Sequence, residues 1–218
     1  MIGRLRVKWF KTRIQRRLRS EAAQRVASHE PIRLVIGAAE PLPYVGPPGT
    51  CFAGWLCTSV STLDALEISD WHNIFRPASV HTILAEHVIE HWTMDQFCSF
   101  LGIAEEFLSP NGFIRIAVPD GLHPDAAYIE SVKPGGSGPG ATDHKVLYNY
   151  RTLSRLISDR GFNCNLLEYF DEKGQFHPTQ WNVAAGFVER SEHHDPRNQE
   201  RPLSYTSLIV DCIPSGNS

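Results

Sequence analysis

The 218-residue sequence lacks the patterns that define several common functional classes. No apolar run approaches the 18 or so residues that a membrane-spanning helix requires. The five cysteines are scattered and form no C-x-x-C pair, which argues against a zinc ribbon and indicates reduced thiols in a cytoplasmic setting. The glycine patterns G-x-G-x-x-G and G-x-x-x-x-G-K-[ST] are also absent, so the sequence predicts no P-loop.

Positive charge is scarce after the first 20 residues. Residues 1–20 contain eight Lys/Arg and no acid, whereas the rest holds 13 Lys/Arg against 24 Asp/Glu. An acidic body predicts no nucleic-acid partner. We expect a basic helical extension over residues 1–30 and one domain over residues 31–218. Residues 2–18 mix cationic and bulky apolar side chains, which is typical either of a weak peripheral membrane contact or of a helix packed on the domain.

Two Glu-His pairs four residues apart end an apolar run at residues 86–91. One interpretation is the H-x-x-E-H zinc pattern of a hydrolase, with His87 and His91 as ligands, Glu90 as base and Glu168 as a third ligand. The other is a buried parallel strand over residues 80–85, with the polar residues at its carboxyl end. In open α/β folds, ligands bind at that edge of the sheet.

The flanking residues favour the strand. Thr93 is a good N-cap, and the apolar spacing of residues 94–108 predicts an amphipathic helix. A second apolar run at residues 113–118 completes a βαβ unit. The zinc pattern needs both histidines inside one continuous helix, whereas this helix begins after them. We therefore predict no resident metal.

Other short apolar runs complete the predicted sheet. Residues 32–36 form a strand that ends at Gly37, and four prolines between residues 41 and 48 exclude a regular helix from the first crossover. Further strands are predicted at residues 54–60, 162–170 and 205–213, and a helix at residues 150–160. The glycine-rich segment 133–140 is either a flexible lid or a solvated loop.

A family resemblance extends over about residues 32–213 and is strongest in short segments at residues 54–55, 58–60, 63–64, 86–91, 108–112, 115–120, 143–145, 161–162, 166–170 and 207–211. These segments resemble, in order, a group of small class I S-adenosylmethionine-dependent methyltransferases. The resemblance implies a doubly wound, mostly parallel Rossmann-like sheet with an antiparallel C-terminal strand. It implies S-adenosylmethionine as cofactor and a small-molecule or glycan-type methyl acceptor.

The resemblance also implies site residues. The catalytic candidates are Glu86, His87 and His91. The candidates for cofactor binding are Gly37, Ala38, Ala39, Ser59, Val60, Asp64 and Glu86. The candidates for substrate binding are Asp120, His123, Asp143 and His144.

Two departures from the family pattern concern the cofactor. The glycine loop is reduced to Gly37-Ala38-Ala39, and Ser59 stands where the family has an acid that accepts both ribose hydroxyls. A serine supplies no charged, two-oxygen acceptor. We therefore keep a non-catalytic binding module of the same fold as the alternative.

Overall fold

The computed structural model describes residues 2–39, 44–199 and 203–217, and the side chains of residues 10–216 within those ranges. The α-helices are α1 (Ile2–Ser28), α2 (Ile68–Ile74), α3 (Met94–Phe107), α4 (Ala126–Val132) and α5 (Tyr150–Ser158). The strands are β1 (Ile32–Ile36), β2 (Leu56–Cys57), β3 (Val80–Glu86), β4 (Leu108–Pro119), β5 (Phe162–Phe170), β6 (Phe176–Pro178) and β7 (Ser207–Pro214).

The strands form one sheet in the order β2-β1-β3-β4-β7-β5-β6. The pairs β1–β2, β1–β3 and β3–β4 are parallel, whereas β7 is antiparallel to both β4 and β5, and β6 is antiparallel to β5. Five of the described strands therefore point in one direction, and β6 and β7 oppose them. The predicted sheet with an antiparallel C-terminal strand is confirmed.

The predicted βαβ unit is present, and the helix begins where its cap predicts. The Gln96 N–H donates to Oγ1 of Thr93, and the Thr93 N–H donates to Oε1 of Gln96. This reciprocal capping box fixes the N-terminus of α3 after both histidines. His87 follows β3 and His91 ends the short 3-10 helix Ile89–His91, so they do not share a continuous helix.

The second strand is shorter than the predicted strand over residues 54–60. The N–H groups of Thr62 and Leu63 both donate to the Ser59 carbonyl at 2.9 Å, so the chain turns directly after Thr58. Residues 44–55 of the first crossover contain no helix, as the prolines predict. The prolines at positions 41 and 43 lie outside the described residues.

The two faces of the sheet are covered differently. Alternate residues of β1 and β3, such as Leu34 and Ile83, pack in the main core with buried side chains from α1, α2, α3 and α5. Val35 and Leu84 point to the other face, where Trp55 and Val188 cover them. Val188 belongs to the mostly polar segment between β6 and β7, so this segment supplies part of the second layer. The same segment reaches the carboxyl edge of β3, where the candidate site lies.

The predicted N-terminal extension contributes to the main core. Ile14, Leu18 and Ala22 of α1 are buried in it. Gln15 donates to the Thr62 carbonyl and to Oδ1 of Asp70, each at 3.0 Å. These contacts bind α1 to the loop after β2 and to α2.

Candidate functional site

A cavity of about 470 Å³ lies at the carboxyl ends of β1 and β3. The chain passes from β1 to β2 on one side and then to β3 on the other, so this is the point where the strand order reverses. Open α/β sheets bind ligands in the crevice at such a point. The described residues that line the cavity are Val35, Ile36, Gly37, Ala38, Ala39, Phe52, Cys57, Leu84, Glu86, His87, Glu90, His91, Pro139, His144, Glu189 and Arg190.

Gly37 ends β1 in a conformation that favours glycine, with φ of +71°. A Cβ atom added there would lie 2.4 Å from Cγ2 of Val88, so a larger residue would displace the Val88 side chain, which follows β3. The neighbouring Ala38 N–H donates to the Thr58 carbonyl at 2.9 Å. The short Gly37-Ala38-Ala39 turn thus holds the ends of three strands together at the cavity.

His87 occupies a strained backbone position, with φ of +52° in a residue other than glycine. Its N–H donates to the Ala117 carbonyl at 2.8 Å, which fixes the backbone beside β4. Its Nε2 lies 3.1 Å from Oγ of Ser207, and its Nδ1 lies 3.1 Å from Oε1 of Glu90. Each ring nitrogen therefore has a polar side-chain atom 3.1 Å away, at the edge of the cavity.

Glu86 lines the cavity, but both of its carboxylate oxygens are engaged by backbone groups. The Arg190 N–H donates to Oε1 at 2.9 Å and the Glu189 N–H donates to Oε2 at 3.1 Å. These two hydrogen bonds connect the segment that contains Glu189 and Arg190 to the end of β3. This arrangement favours a positioning role over that of a free base.

Glu90, His91 and His144 come together beside His87. One potential ligand atom from each lies within 4.8 Å of the others. The Lys145 N–H donates to the Glu90 carbonyl at 2.7 Å, which holds the segment containing His144 against the 3-10 helix. His91 and His144 meet edge to face, with ring centroids 4.8 Å apart.

Ser59, Val60 and Asp64 are absent from the described lining of the cavity. Oγ of Ser59 lies 2.9 Å from Oγ of Ser61, and Val60 is 72% exposed. Oδ1 of Asp64 accepts the Leu66 N–H at 3.1 Å, which is a local turn contact. These cofactor assignments stay predictions from the family resemblance.

The four predicted substrate residues lie in different places, and only His144 lines the cavity. Asp120 is fully buried, and its oxygens accept the N–H groups of Leu122 and Phe170. His123 is buried against Tyr128, with its Nδ1 accepting the Asp125 N–H. Asp143 is exposed. Asp120 and His123 thus connect β4 to β5 and α4.

The zinc-hydrolase ligand set is not assembled as the sequence pattern required. Glu168 is 1% exposed and accepts hydrogen bonds from Nε1 of Trp181, the Glu192 N–H and Oγ1 of Thr206. Three donors satisfy this buried carboxylate, so no unpaired oxygen points to a bound metal ion. His87 contacts Glu90, but it shares no continuous helix with His91 and is not part of the ligand-spaced group of Glu90, His91 and His144.

A smaller cavity of about 190 Å³ adjoins the first and shares His87, Pro139, His144 and Arg190 with it. Its other described lining residues are Pro119, Ser131, Val132, Gly138, Arg197 and Tyr205. Burial raises the pKa of Tyr205, so its hydroxyl stays protonated at neutral pH. Arg190, Arg197 and Tyr205 were not predicted as site residues, because Arg190 and Arg197 lie in a segment without periodicity and Tyr205 was predicted only as the first residue of a strand.

Cys57 lines the larger cavity without being a candidate nucleophile. Burial raises the pKa of its thiol, so the reactive thiolate is disfavoured at neutral pH. With its neighbours Val35 and Leu84, it forms an apolar wall of the cavity.

No family model matches the sequence, and no curated protein matches it. Similar solved structures include S-adenosylmethionine-dependent methyltransferases, the superfamily that the sequence resembles. One from Archaeoglobus fulgidus is 12% identical, with a TM-score of 0.45, over 91% of this chain and 92% of that chain. A 1,6-didemethyltoxoflavin-N1-methyltransferase from Burkholderia thailandensis, solved with S-adenosylhomocysteine, is 12% identical, with a TM-score of 0.44, over 89% and 76%. A magnesium protoporphyrin IX methyltransferase from Synechocystis, also with S-adenosylhomocysteine, is 12% identical, with a TM-score of 0.43, over 92% and 83%.

Among the described residues, no helix combines the length and the apolar character that a membrane span requires.

Proposed function

We propose that the protein binds S-adenosylmethionine in the 470 Å³ cavity and transfers its methyl group to a small-molecule or glycan-type acceptor. The observation that carries this proposal is the position of the cavity, at the carboxyl ends of β1 and β3 where the strand order reverses. Its volume falls within the range of about 300–1,000 Å³ that is usual for small-molecule and cofactor sites.

The residues present fit such a cofactor better at its flat ring than at its ribose. The turn at Gly37 brings backbone groups to the cavity, and the apolar wall of Val35, Cys57 and Leu84 suits a flat, weakly polar ring. When bound, the cofactor supplies a methyl group on a positively charged sulfur. The family resemblance puts Ser59 at the ribose, where a serine supplies no carboxylate, so we expect weak binding.

The smaller cavity provides a place for the acceptor beside the first cavity. Its guanidinium and phenol groups suit a polar acceptor with several oxygens. The Arg197 guanidinium is already paired with Asp195, through Nη2 and Oδ2 at 2.5 Å. The Arg190 guanidinium makes a longer contact, with Nη1 3.9 Å from Oε1 of Glu86. Arg190 therefore has more capacity to bind an acceptor oxygen.

His87 is the residue best placed to receive a proton from an acceptor hydroxyl. It lines both cavities, and its Nε2 faces the Ser207 hydroxyl rather than an ionised group. An acceptor hydroxyl that replaced Ser207 as the partner of Nε2 would have a base within reach. Alignment of the acceptor with the methyl group would provide the larger share of the acceleration.

Isothermal titration calorimetry with S-adenosylmethionine and S-adenosylhomocysteine tests the cofactor assignment. We expect saturable binding of both, with dissociation constants weaker than micromolar. Failure of both ligands to bind at millimolar concentration would contradict the proposal. It would favour the second candidate, a binding module of the same fold, which the occupied Glu86 carboxylate and the serine at position 59 support.

The substitution Ser59→Asp distinguishes a weakened cofactor site from a lost one. If Ser59 lies at the ribose, a carboxylate there should tighten binding about tenfold, because it accepts two hydrogen bonds with charge assistance. Ser59→Asn is the matched control, since asparagine has nearly the same size as aspartate but carries no charge. Equal affinities for the two variants would show that position 59 does not meet the ribose.

A further inference from the structure

Beyond methyl transfer, we infer that Glu90, His91 and His144 form a binding site for one divalent transition-metal cation such as Zn²⁺ or Mn²⁺. The sequence predicted no resident metal, and the zinc-hydrolase alternative had His87, His91 and Glu168 as ligands with Glu90 as base, so the two ligand sets share His91 alone. The inference rests on the geometry around Glu90 and does not depend on the proposed transferase activity.

Glu90 is the first reason. Its side chain is 1% exposed, and neither carboxylate oxygen has a hydrogen-bond partner among the described residues. His87 Nδ1 approaches Oε1 at 3.1 Å as an ion-pair contact, without the geometry of a hydrogen bond. A buried carboxylate without donors is costly, and a bound cation would remove that cost. Glu90 also borders the cavity.

His144 is the second reason. Its Nδ1 lies 2.7 Å from the Val132 carbonyl oxygen, which can only accept a hydrogen bond. The proton of the neutral ring is therefore on Nδ1, and Nε2 carries the free lone pair. Histidine ligands of metal ions are commonly held in this way by a backbone carbonyl, which fixes both the tautomer and the ring orientation.

The spacing of the three residues is close to that of an occupied site. Metal–ligand bonds of about 2.1 Å place neighbouring ligand atoms roughly 3.0–3.5 Å apart, so the ligand atoms, which lie within 4.8 Å of one another, need only small side-chain movements. The hydrogen bond from Lys145 N–H to the Glu90 carbonyl already joins the two backbone segments.

The donor set determines the class of ion. Two imidazoles and one carboxylate suit Zn²⁺, Mn²⁺ or Fe²⁺, whereas Ca²⁺ and Mg²⁺ prefer an environment made of oxygen ligands. Three protein ligands leave coordination positions open. Because His144 and Glu90 border the cavity, those positions would be filled by water or by an oxygen of a bound small molecule.

Metal binding is measured directly on the full chain after treatment with a chelator and dialysis. Calorimetry with ZnCl₂, and electron paramagnetic resonance with MnCl₂, should each be run on the wild type without S-adenosylmethionine. We expect about one equivalent of at least one ion. Binding of neither ion up to millimolar concentration would overturn the proposal, whatever the result for S-adenosylmethionine.

The variants Glu90→Gln and His91→Ala locate the site. Each removes one ligand, so each should weaken binding at least tenfold and abolish the rise in melting temperature that the ion gives the wild type. His193→Ala is the matched control, because His193 has a 77% exposed side chain outside the cluster. If Glu90→Gln does not fold, the half-buried His91 still provides the test. Unchanged affinity in His91→Ala, or an equal loss in His193→Ala, would assign the binding to surface histidines and overturn the proposal.

Discussion

Buried Arg115 and partly buried Asp211 form a two-point ion pair across the centre of the sheet, with Nε–Oδ1 and Nη2–Oδ2 distances of 2.8 Å. The pair sits at matching positions of β4 and β7. Nη1 of Arg115 also donates to the carbonyl oxygens of Asn182 and Gly186. One guanidinium therefore joins the antiparallel C-terminal strand and the irregular layer that covers one face of the sheet.

Loss of Arg115 should destabilise the fold strongly. Arg115 is 2% exposed, so Arg115→Ala would leave the Asp211 carboxylate unpaired in the sheet and release two backbone carbonyls. We expect a decrease of about 3–5 kcal/mol in the free energy of unfolding, measured by urea denaturation. Arg160→Ala, at an exposed position, should change it by less than about 0.5 kcal/mol. Similar losses for both variants would contradict the structural role of the pair.

Gly37 can be tested against a glycine with the same backbone conformation. Gly37 and Gly54 have φ of +71° and +74°, but only at Gly37 would a Cβ meet another atom, at 2.4 Å from Val88. Both alanine variants carry the cost of left-handed backbone, which is about 1–2 kcal/mol. The Gly37→Ala variant should in addition displace the Val88 side chain and weaken S-adenosylhomocysteine binding at least tenfold relative to Gly54→Ala. Equal affinities would separate the Gly37 turn from cofactor binding.

Asp120 should make stability depend on pH in the acidic range. Burial raises the pKa of Asp120 from 3.8 to about 6, although the N–H groups of Leu122 and Phe170 oppose the shift. The folded state therefore binds more protons than the unfolded state between about pH 4 and 6, and the contribution of Asp120 to stability falls as pH rises through that window. A shift of two units corresponds to about 3 kcal/mol.

The matching variant for this prediction is Asp120→Asn, which keeps one oxygen acceptor and cannot ionise. Chemical denaturation of both proteins at several pH values gives the difference in unfolding free energy. That difference should change by about 2–3 kcal/mol between pH 4 and pH 6. The unfolding free energy of the wild type should fall relative to that of Asp120→Asn as pH rises. Parallel curves would show that Asp120 does not titrate in this window.

The first helix gives a prediction about stability and membrane binding. Leu18 is 1% exposed in the main core, so Leu18→Ala should lower the free energy of unfolding by about 2–5 kcal/mol. Arg17→Ala, one position away and exposed, should have little effect. Deletion of residues 1–27 should likewise lower the melting temperature. If the deletion instead leaves melting unchanged and removes binding to anionic vesicles, the segment is a membrane anchor.

Much of the fold could be predicted from local sequence, because local physical chemistry specifies it. The apolar runs of β3 and β4, the Thr93 cap of α3 and the glycine after β1 each act within a few residues. The end of β2 was predicted too late, because it depends on an irregular turn. The β2 strand ends early because Thr62 and Leu63 donate back to Ser59, which no hydrophobic pattern reveals.

The sequence by itself determined that Glu86, His87, Glu90 and His91 would lie at the carboxyl edge of a parallel sheet, because that position follows from the end of one short strand. Only the tertiary structure decided their partners. The antiparallel β7 brings Ser207 to His87, and the loop after α4 brings His144 to His91. These segments are polar and without periodicity, so their positions depend on the strand order and on a few long-range hydrogen bonds rather than on local propensity.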